Sequence, residues 1–369
     1  MNILVTNNHL KTYGGSETFT YALIEELCRL GHHLEYFTFE KGLTSNKIEQ
    51  NLNVHFFSRK KYDLILANHN SCITFLRKII SHKTTIIQTC HGIYPKLEQP
   101  SNLANLHISI SEEIQKHLLT LGYASKIILN GINTNRFDNK TSINKELKTV
   151  LSLSQSEQAN SEIEKACNLL NIQLLKLNKF KNPIWEVEEE INKADLIVGL
   201  GRSAYEAMAC GRPVLIYDNR PYSKSYADGY VTSEVLPYII KNNCSGRFYK
   251  KELDTVSLVK EFKKYNKESG YFLRQFSLEN LNIKIQVEKY LQINEEYKGS
   301  PELQKKILIS NFQSNIMFYL SLPYIIFNIN KWCKRYGSKK VNKIKITKKI
   351  ITSKLNKAEF ISMIKNGNL

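Results

Sequence analysis

The chain has 369 residues, 42% of them hydrophobic and 23% charged, which excludes wholesale disorder and fibrous repeats and suits two domains with an appendage. Fifty-two Lys and Arg against 34 Asp and Glu leave a net charge of +18, pointing to an anionic partner. The excess is concentrated: residues 301–369 hold 14 basic and two acidic side chains, or +12, and leave +6 for the first 300. Seven scattered cysteines without a C-x-x-C pair give neither a disulfide framework nor a zinc site. The N-terminus enters an apolar strand pattern at once, without a signal-peptide pattern, so a reducing cytoplasm is expected.

In chain order, strands are predicted at residues 2–6, 34–39, 62–68, 84–90, 107–111 and 126–130. Phe19, Leu23, Leu27 and Leu30 recur at helical spacing between Gly15 and Gly31, and a second helix is predicted over 112–121. The pattern repeats after a polar stretch at 133–146, with strands at 149–154, 172–176, 194–200 and 212–218 and helices at 161–170 and 203–210. Strands alternating with helices imply βαβ units and parallel sheets buried on both faces. The expected architecture is α/β, with two doubly wound Rossmann-like domains, residues 1–138 and 147–297, facing each other across a cleft. The rest, 301–369, reads as a basic amphipathic tail. Within it, 307–330 lacks any charge but is too polar to predict a membrane span.

Two segments carry chemistry. Gly14-Gly15-Ser16-Glu17 lies between the first strand and first helix, where glycines admit a close ligand and helix N–H groups face an anion; a plain tight turn reads equally well. In Val198-Gly199-Leu200-Gly201-Arg202-Ser203-Ala204-Tyr205-Glu206, Gly199 and Gly201 open space at a strand's carboxyl end. The amides of Arg202, Ser203 and Ala204 would meet a phosphate. Ser203 and Glu206 also fit a capping box that merely satisfies the helix start.

Four pieces in order resemble the retaining, nucleotide-sugar-dependent family 4 glycosyltransferases of GT-B fold: Gly14-Gly15-Ser16-Glu17; Gln88-Thr89-Cys90-His91-Gly92; Ile108-Ser109-Ile110-Ser111 continuing to Leu129-Asn130-Gly131-Ile132-Asn133-Thr134-Asn135-Arg136-Phe137; and Glu206-Ala207-Met208-Ala209-Cys210-Gly211-Arg212-Pro213-Val214. The resemblance implies that Gly14, Gly15, Gly199, Gly201, Arg202 and Ser203 surround the donor diphosphate. It implies that Glu206 accepts from the nucleotide ribose and that His91 sits beside the transferred sugar as the catalytic residue. No metal or other cofactor is expected beyond the nucleotide sugar as co-substrate, because two helix N-termini would stabilise the leaving diphosphate and no Asp-x-Asp triplet is present. Val198 stands where the family has a sugar-contacting glutamate, and 152–158 lacks the family's basic clamp, whose role would fall to Arg202, Arg212 or Arg220.

The expected function is transfer of a sugar to a surface polysaccharide or lipid-linked glycan acceptor. A non-catalytic sugar-nucleotide-binding protein of the same fold is the alternative. The tail is expected to hold the protein peripherally on the inner face of the cell membrane, through 316–327 and 12 basic residues after Asn330 meeting anionic headgroups. Nucleic acid is not an expected partner, since no recognition motif accompanies the charge.

Overall fold

A computed structural model describes residues 1–297, apart from 59, 60, 82, 180, 182 and 222–224, together with 319, 320 and 322–328. The tail expectations that fall at 301–318, 321 and 329–369 lie outside the described residues.

The first lobe is a seven-stranded sheet of β1 (Asn2–Thr6), β2 (His33–Phe37), β3 (His55–Phe56), β4 (Leu64–Ala67), β5 (Thr85–Cys90), β6 (Leu106–Ser109) and β7 (Lys126–Ile127), in the order β3-β2-β1-β4-β5-β6-β7. All pairings are parallel, and alternate residues feed two cores. Leu4, Ile65 and Ile86 face one layer, while Ile3, Val5, Leu64, Leu66 and Ile87 face the other. Near-continuous apolar strands are what a sheet covered on both faces requires.

The second lobe contains β8 (Thr149–Ser152), β9 (Gln173–Lys176), β10 (Leu196–Gly199), β11 (Val214–Arg220) and β12 (Ser225–Tyr230), in the order β12-β11-β10-β8-β9. Only β12 runs antiparallel. Each sheet reverses its winding beside its first strand, between β1 and β4 and between β8 and β10. Such switch points open crevices at the strands' carboxyl ends.

The chain passes between lobes at two adjacent places. The Ile132 N–H donates to Leu281 O (2.7 Å) and the Ile283 N–H to Ile132 O (2.9 Å). A Cβ on Gly131 would lie 2.9 Å from the Ile283 Cα, so the crossing strands meet closely only because residue 131 has no side chain. The helix Ile283–Tyr297 returns to the first lobe, where Val287, Tyr290 and Ile293 join its core and the Tyr290 and Thr89 hydroxyls lie 2.7 Å apart. A second domain written as 147–297 therefore ends too late: these buried apolar residues complete the first lobe. Helical residues 322–328 cover its other face, with Ile325 among Phe37, Phe75 and Leu76.

Candidate functional site

The two crevices merge into one cleft of ≈ 580 Å³ lined by both lobes. Gly14, Gly15, His91, Gly201, Arg202, Ser203 and Glu206 all line it, so the two glycine segments, distant in sequence, do converge. Gly199 does not. A Cβ there would stand 3.2 Å from the Ser203 Cβ and 3.6 Å from the Leu153 Cβ. This glycine lets a helix pack on its strand rather than opening space for a ligand, which corrects the donor-binding expectation.

Gly14 caps the helix Gly15–Arg29 without a side-chain hydrogen bond. The space above it is taken, because a Cβ would fall 2.3 Å from Glu17 Oε2. That carboxylate accepts the Ser16 hydroxyl at 2.9 Å and lies 3.6 Å from His9 Nδ1. An anion close to Gly14 would meet a carboxylate, so the close approach expected of a diphosphate is available only at Gly15, where no atom lies within 4 Å of a notional Cβ. Gly92 repeats the arrangement, with Glu98 Oε2 2.4 Å from its notional Cβ. Burial, reinforced by the Glu17 charge, raises the Glu98 carboxyl to about 7.

His91 follows β5 and is held by a buried network. The Asn68 amide nitrogen donates to Thr6 O (3.1 Å) and Thr20 Oγ1 (2.9 Å), so Asn68 Oδ1 must face His91 Nε2 as acceptor at 2.9 Å. Nε2 therefore carries the proton and Nδ1 the lone pair. Asn7 Nδ2 also donates to Thr20 Oγ1 (2.9 Å), which passes its own proton to Ser16 O (2.7 Å). The network joins the ends of β1, β4 and β5 to the first helix. Desolvation first, then the Arg202 charge, lowers the imidazole to about 3, so His91 is neutral across the physiological range.

In the second lobe the helix Arg202–Ala209 begins after Gly201, whose φ of +54° favours glycine. Gly201, rather than Ser203, is the N-cap, so Ser203 and Glu206 do not form the capping box that their spacing allows. Glu206 instead lies 2.9 Å from Arg202 Nε, and both side chains are buried. Arg202 Nη1 donates to Gly131 O at 2.9 Å and so braces the interlobe crossing. Burial raises the Glu206 carboxyl and lowers Arg202, each opposed by its partner's charge. Val198 is wholly buried in the core and contributes nothing to the cleft.

Lys179, which no sequence pattern indicated, lines the cleft from the loop after β9. Arg220, one of the residues expected to replace the missing clamp, lines it from the end of β11. Arg212, a candidate for the missing clamp, is buried elsewhere and donates to Thr141 O and Asn192 Oδ1 at 2.7 and 2.9 Å. Arg136, from the polar stretch between the two lobes, forms two 2.8 Å hydrogen bonds with Glu188 and stacks 4.4 Å from the Trp185 ring. Trp185 in turn meets Tyr13 and Tyr21 of the first lobe, with centroids 5.0 and 4.6 Å away.

The cleft is polarised as a result. Its first-lobe wall carries Glu17, Glu25, Glu40 and Glu98 against one Lys11, while the opposite wall carries Arg136, Lys179, Arg202, Arg220 and Arg247 against Glu206. The lobe order, the interlobe cleft and the paired switch points match one architecture. The fold is that of the GT-B glycosyltransferases. AviGT4, a glycosyltransferase involved in avilamycin A biosynthesis, superposes with a TM-score of 0.50 at 11% identity, covering 80% of this chain and 97% of AviGT4. An alpha-glucosyltransferase in complex with UDP and a DNA containing an HMU base gives 0.49 at 11% identity, covering 80% and 99%. The lipopolysaccharide outer core galactosyltransferase WaaB gives 0.42 at 13%, covering 75% and 99%. No protein-family model matches the sequence, and no curated protein sequence does. At these identities the likeness concerns the GT-B fold alone.

Proposed function

We propose that this chain is a glycosyltransferase that moves a sugar from a nucleoside diphosphate donor to a surface polysaccharide or lipid-linked glycan, with retention of anomeric configuration. The observation that carries this reading is the polarity of the cleft. Breaking a sugar–phosphate bond develops negative charge on the departing diphosphate and positive charge on the sugar ring. The basic wall and the amides of Arg202, Ser203 and Ala204 suit the first, and the carboxylates of Glu17 and Glu98 suit the second. Lys179 and Arg220 take the clamp role that 152–158 does not supply, so the leaving-group charge is met by protein cations. Neutral His91 offers Nδ1 as an acceptor without placing another cation beside the sugar. In the retaining course, the acceptor oxygen bonds to the anomeric carbon as its bond to phosphate breaks, and the hydroxyl proton leaves on the phosphate oxygen.

The reading includes peripheral attachment to a cytoplasmic membrane face. No helix among the described residues is long and apolar enough to cross a bilayer. Ile325 anchors residues 322–328 to the first lobe, whereas Leu320 and Phe327 are 70% and 85% exposed and precede the lysine-rich segment.

A thermal-shift screen against UDP-, GDP-, ADP- and dTDP-sugars tests the activity class. A bound donor at 100 times its Kd stabilises by about 2.7 kcal/mol, a rise of several degrees in Tm. Glu206→Gln, which keeps an acceptor but loses its charge, is expected to weaken that donor by about tenfold, the worth of one charge-assisted hydrogen bond. Absence of a shift with every donor overturns the proposal. Unchanged affinity in Glu206→Gln removes Glu206 from the ribose role.

A further inference from the structure

We infer that Asn130, Asn243 and Ser245 form a subsite that reads the hydroxyl groups of the transferred sugar, an inference that rests on the donor-binding reading above. The Oδ1 atoms of Asn130 and Asn243 and Oγ of Ser245 are buried without a hydrogen-bond partner among the described residues. All three residues line the same cleft, and Asn130 and Ser245 are each only 6% exposed. More than nine in ten buried polar groups in native proteins are paired, so several orphans converging on one cavity mark groups that a ligand completes.

Their chemistry selects the ligand. Two amide oxygens accept, a hydroxyl donates and accepts, and none of the three residues carries charge. A phosphate offers mainly acceptors and would leave the amide oxygens unpaired. An apolar group would satisfy none of them. A ring dense in hydroxyls, each both donor and acceptor, matches the set.

Their position matches as well. The Gly201 N–H donates to Cys244 O at 2.9 Å, and a Cβ on Gly201 would lie 3.3 Å from Asn243 Nδ2. Asn243 and Ser245 thus adjoin the helix start assigned to the leaving phosphate. Arg202 ties that helix to Gly131, the neighbour of Asn130, and its charge reaches His91. The subsite therefore adjoins the helix start assigned to the phosphate and shares its cleft with His91.

The loop that carries it is held firmly. Asn243, Cys244 and Gly246 have φ of 56°, 45° and 75°. A Cβ on residue 246 would stand 2.1 Å from Tyr226 O, so this position requires glycine. The buried Asp228 carboxylate accepts the N–H groups of Gly246, Phe248 and Tyr249 at 3.0, 3.1 and 2.8 Å. Fixed side chains discriminate between hydroxyl arrangements better than mobile ones.

Calorimetric titration of the full chain with UDP-glucose, UDP-galactose, UDP-GlcNAc and GDP-mannose, each beside its free diphosphate, tests the assignment. The wild type is expected to bind one sugar nucleotide more tightly than the diphosphate. Asn130→Ala and Ser245→Ala should bind the free diphosphate within twofold of wild type, lose at least tenfold of the sugar-dependent affinity and discriminate less between sugars. Ser245→Ala removes one oxygen and keeps the test intact should Asn130→Ala fail to fold. The inference is overturned if the sugar adds nothing to wild-type affinity. It is equally overturned if the variants behave as wild type, which would leave water as the subsite's occupant, or if they lose diphosphate and sugar nucleotide alike. Absence of nucleotide binding by the wild type, seen before any variant is made, removes the donor-binding reading itself and the inference with it.

Discussion

Arg247 of the second lobe grips Glu113 of the first through two hydrogen bonds, Nε to Oε1 at 2.7 Å and Nη2 to Oε2 at 2.6 Å. Arg247 also lines the cleft, so this paired contact bridges the lobes at the edge of the space that a donor would enter. Asn133 Nδ2 to Glu25 Oε2, at 2.6 Å, and the stacking of Trp185 on Tyr13 and Tyr21 bridge them elsewhere. Closure is thus distributed over a charged pair, an amide–carboxylate bond and an aromatic contact.

Glu113→Ala should therefore loosen closure. The side chains of Glu113 and Arg247 are largely shielded from solvent, and loss of their charge-assisted contact is expected to cost about 1–2 kcal/mol. Small-angle scattering should show a larger radius of gyration for the ligand-free variant, with the wild-type value recovered on donor binding. An unchanged scattering profile would mean that the other interlobe contacts suffice.

Substitution at two glycines separates site from scaffold. Gly15→Ala meets open space and replaces glycine in the first helical turn, so the Tm should hold or rise while donor affinity falls several-fold. Gly199→Ala forces its Cβ against Ser203 and Leu153, and is expected to destabilise by about 1–3 kcal/mol. Denaturant midpoints and donor titrations on both variants check the contrast.

Glu98 predicts a pH dependence. Its carboxyl, raised to about 7 in the folded chain, binds a proton between roughly pH 4.5 and 7 that the unfolded chain has released. Stability from this group falls as pH rises through that window, because the folded state must ionise a half-buried, desolvated carboxyl beside Glu17. Glu98→Gln should accordingly gain on the order of 1–2 kcal/mol over wild type at pH 8, after allowance for screening, and little at pH 4. Urea denaturation at both values would expose a pH-independent difference, which would refute the cause assigned.

The exposed side chains of Leu320 and Phe327 predict lipid binding. Wild type should co-sediment with phosphatidylglycerol vesicles more than with phosphatidylcholine vesicles. Each large apolar side chain that leaves water contributes roughly 1.5–3 kcal/mol, so Leu320→Glu with Phe327→Glu should weaken binding at least tenfold. Neither substitution touches the buried Ile325 anchor. Equal sedimentation of variant and wild type would place attachment elsewhere.

Much of the fold was legible in the chain, because a strand buried on both faces must be apolar throughout. Runs such as Asn2–Thr6 and Leu196–Gly199 announce themselves, and glycines mark the turns that follow. The edge strand Ser225–Tyr230 carries no such run and escaped notice. Convergence of Gly15, His91 and Arg202 on one cleft followed from the order of the motifs. What each residue does there did not. Spacing allowed Ser203 and Glu206 to cap their helix, yet Gly201 occupies the cap and turns Glu206 toward Arg202. Gly14 and Gly199 read alike as openings, although a carboxylate covers one and a packed helix covers the other. Lys179 and Ser245 belong to no motif, and their presence in one cleft depends on where two separate loops end. Local sequence determined the elements because burial acts residue by residue along the chain; only the tertiary structure decided the charge of each wall, since that arises from side chains brought together from well-separated positions in each lobe.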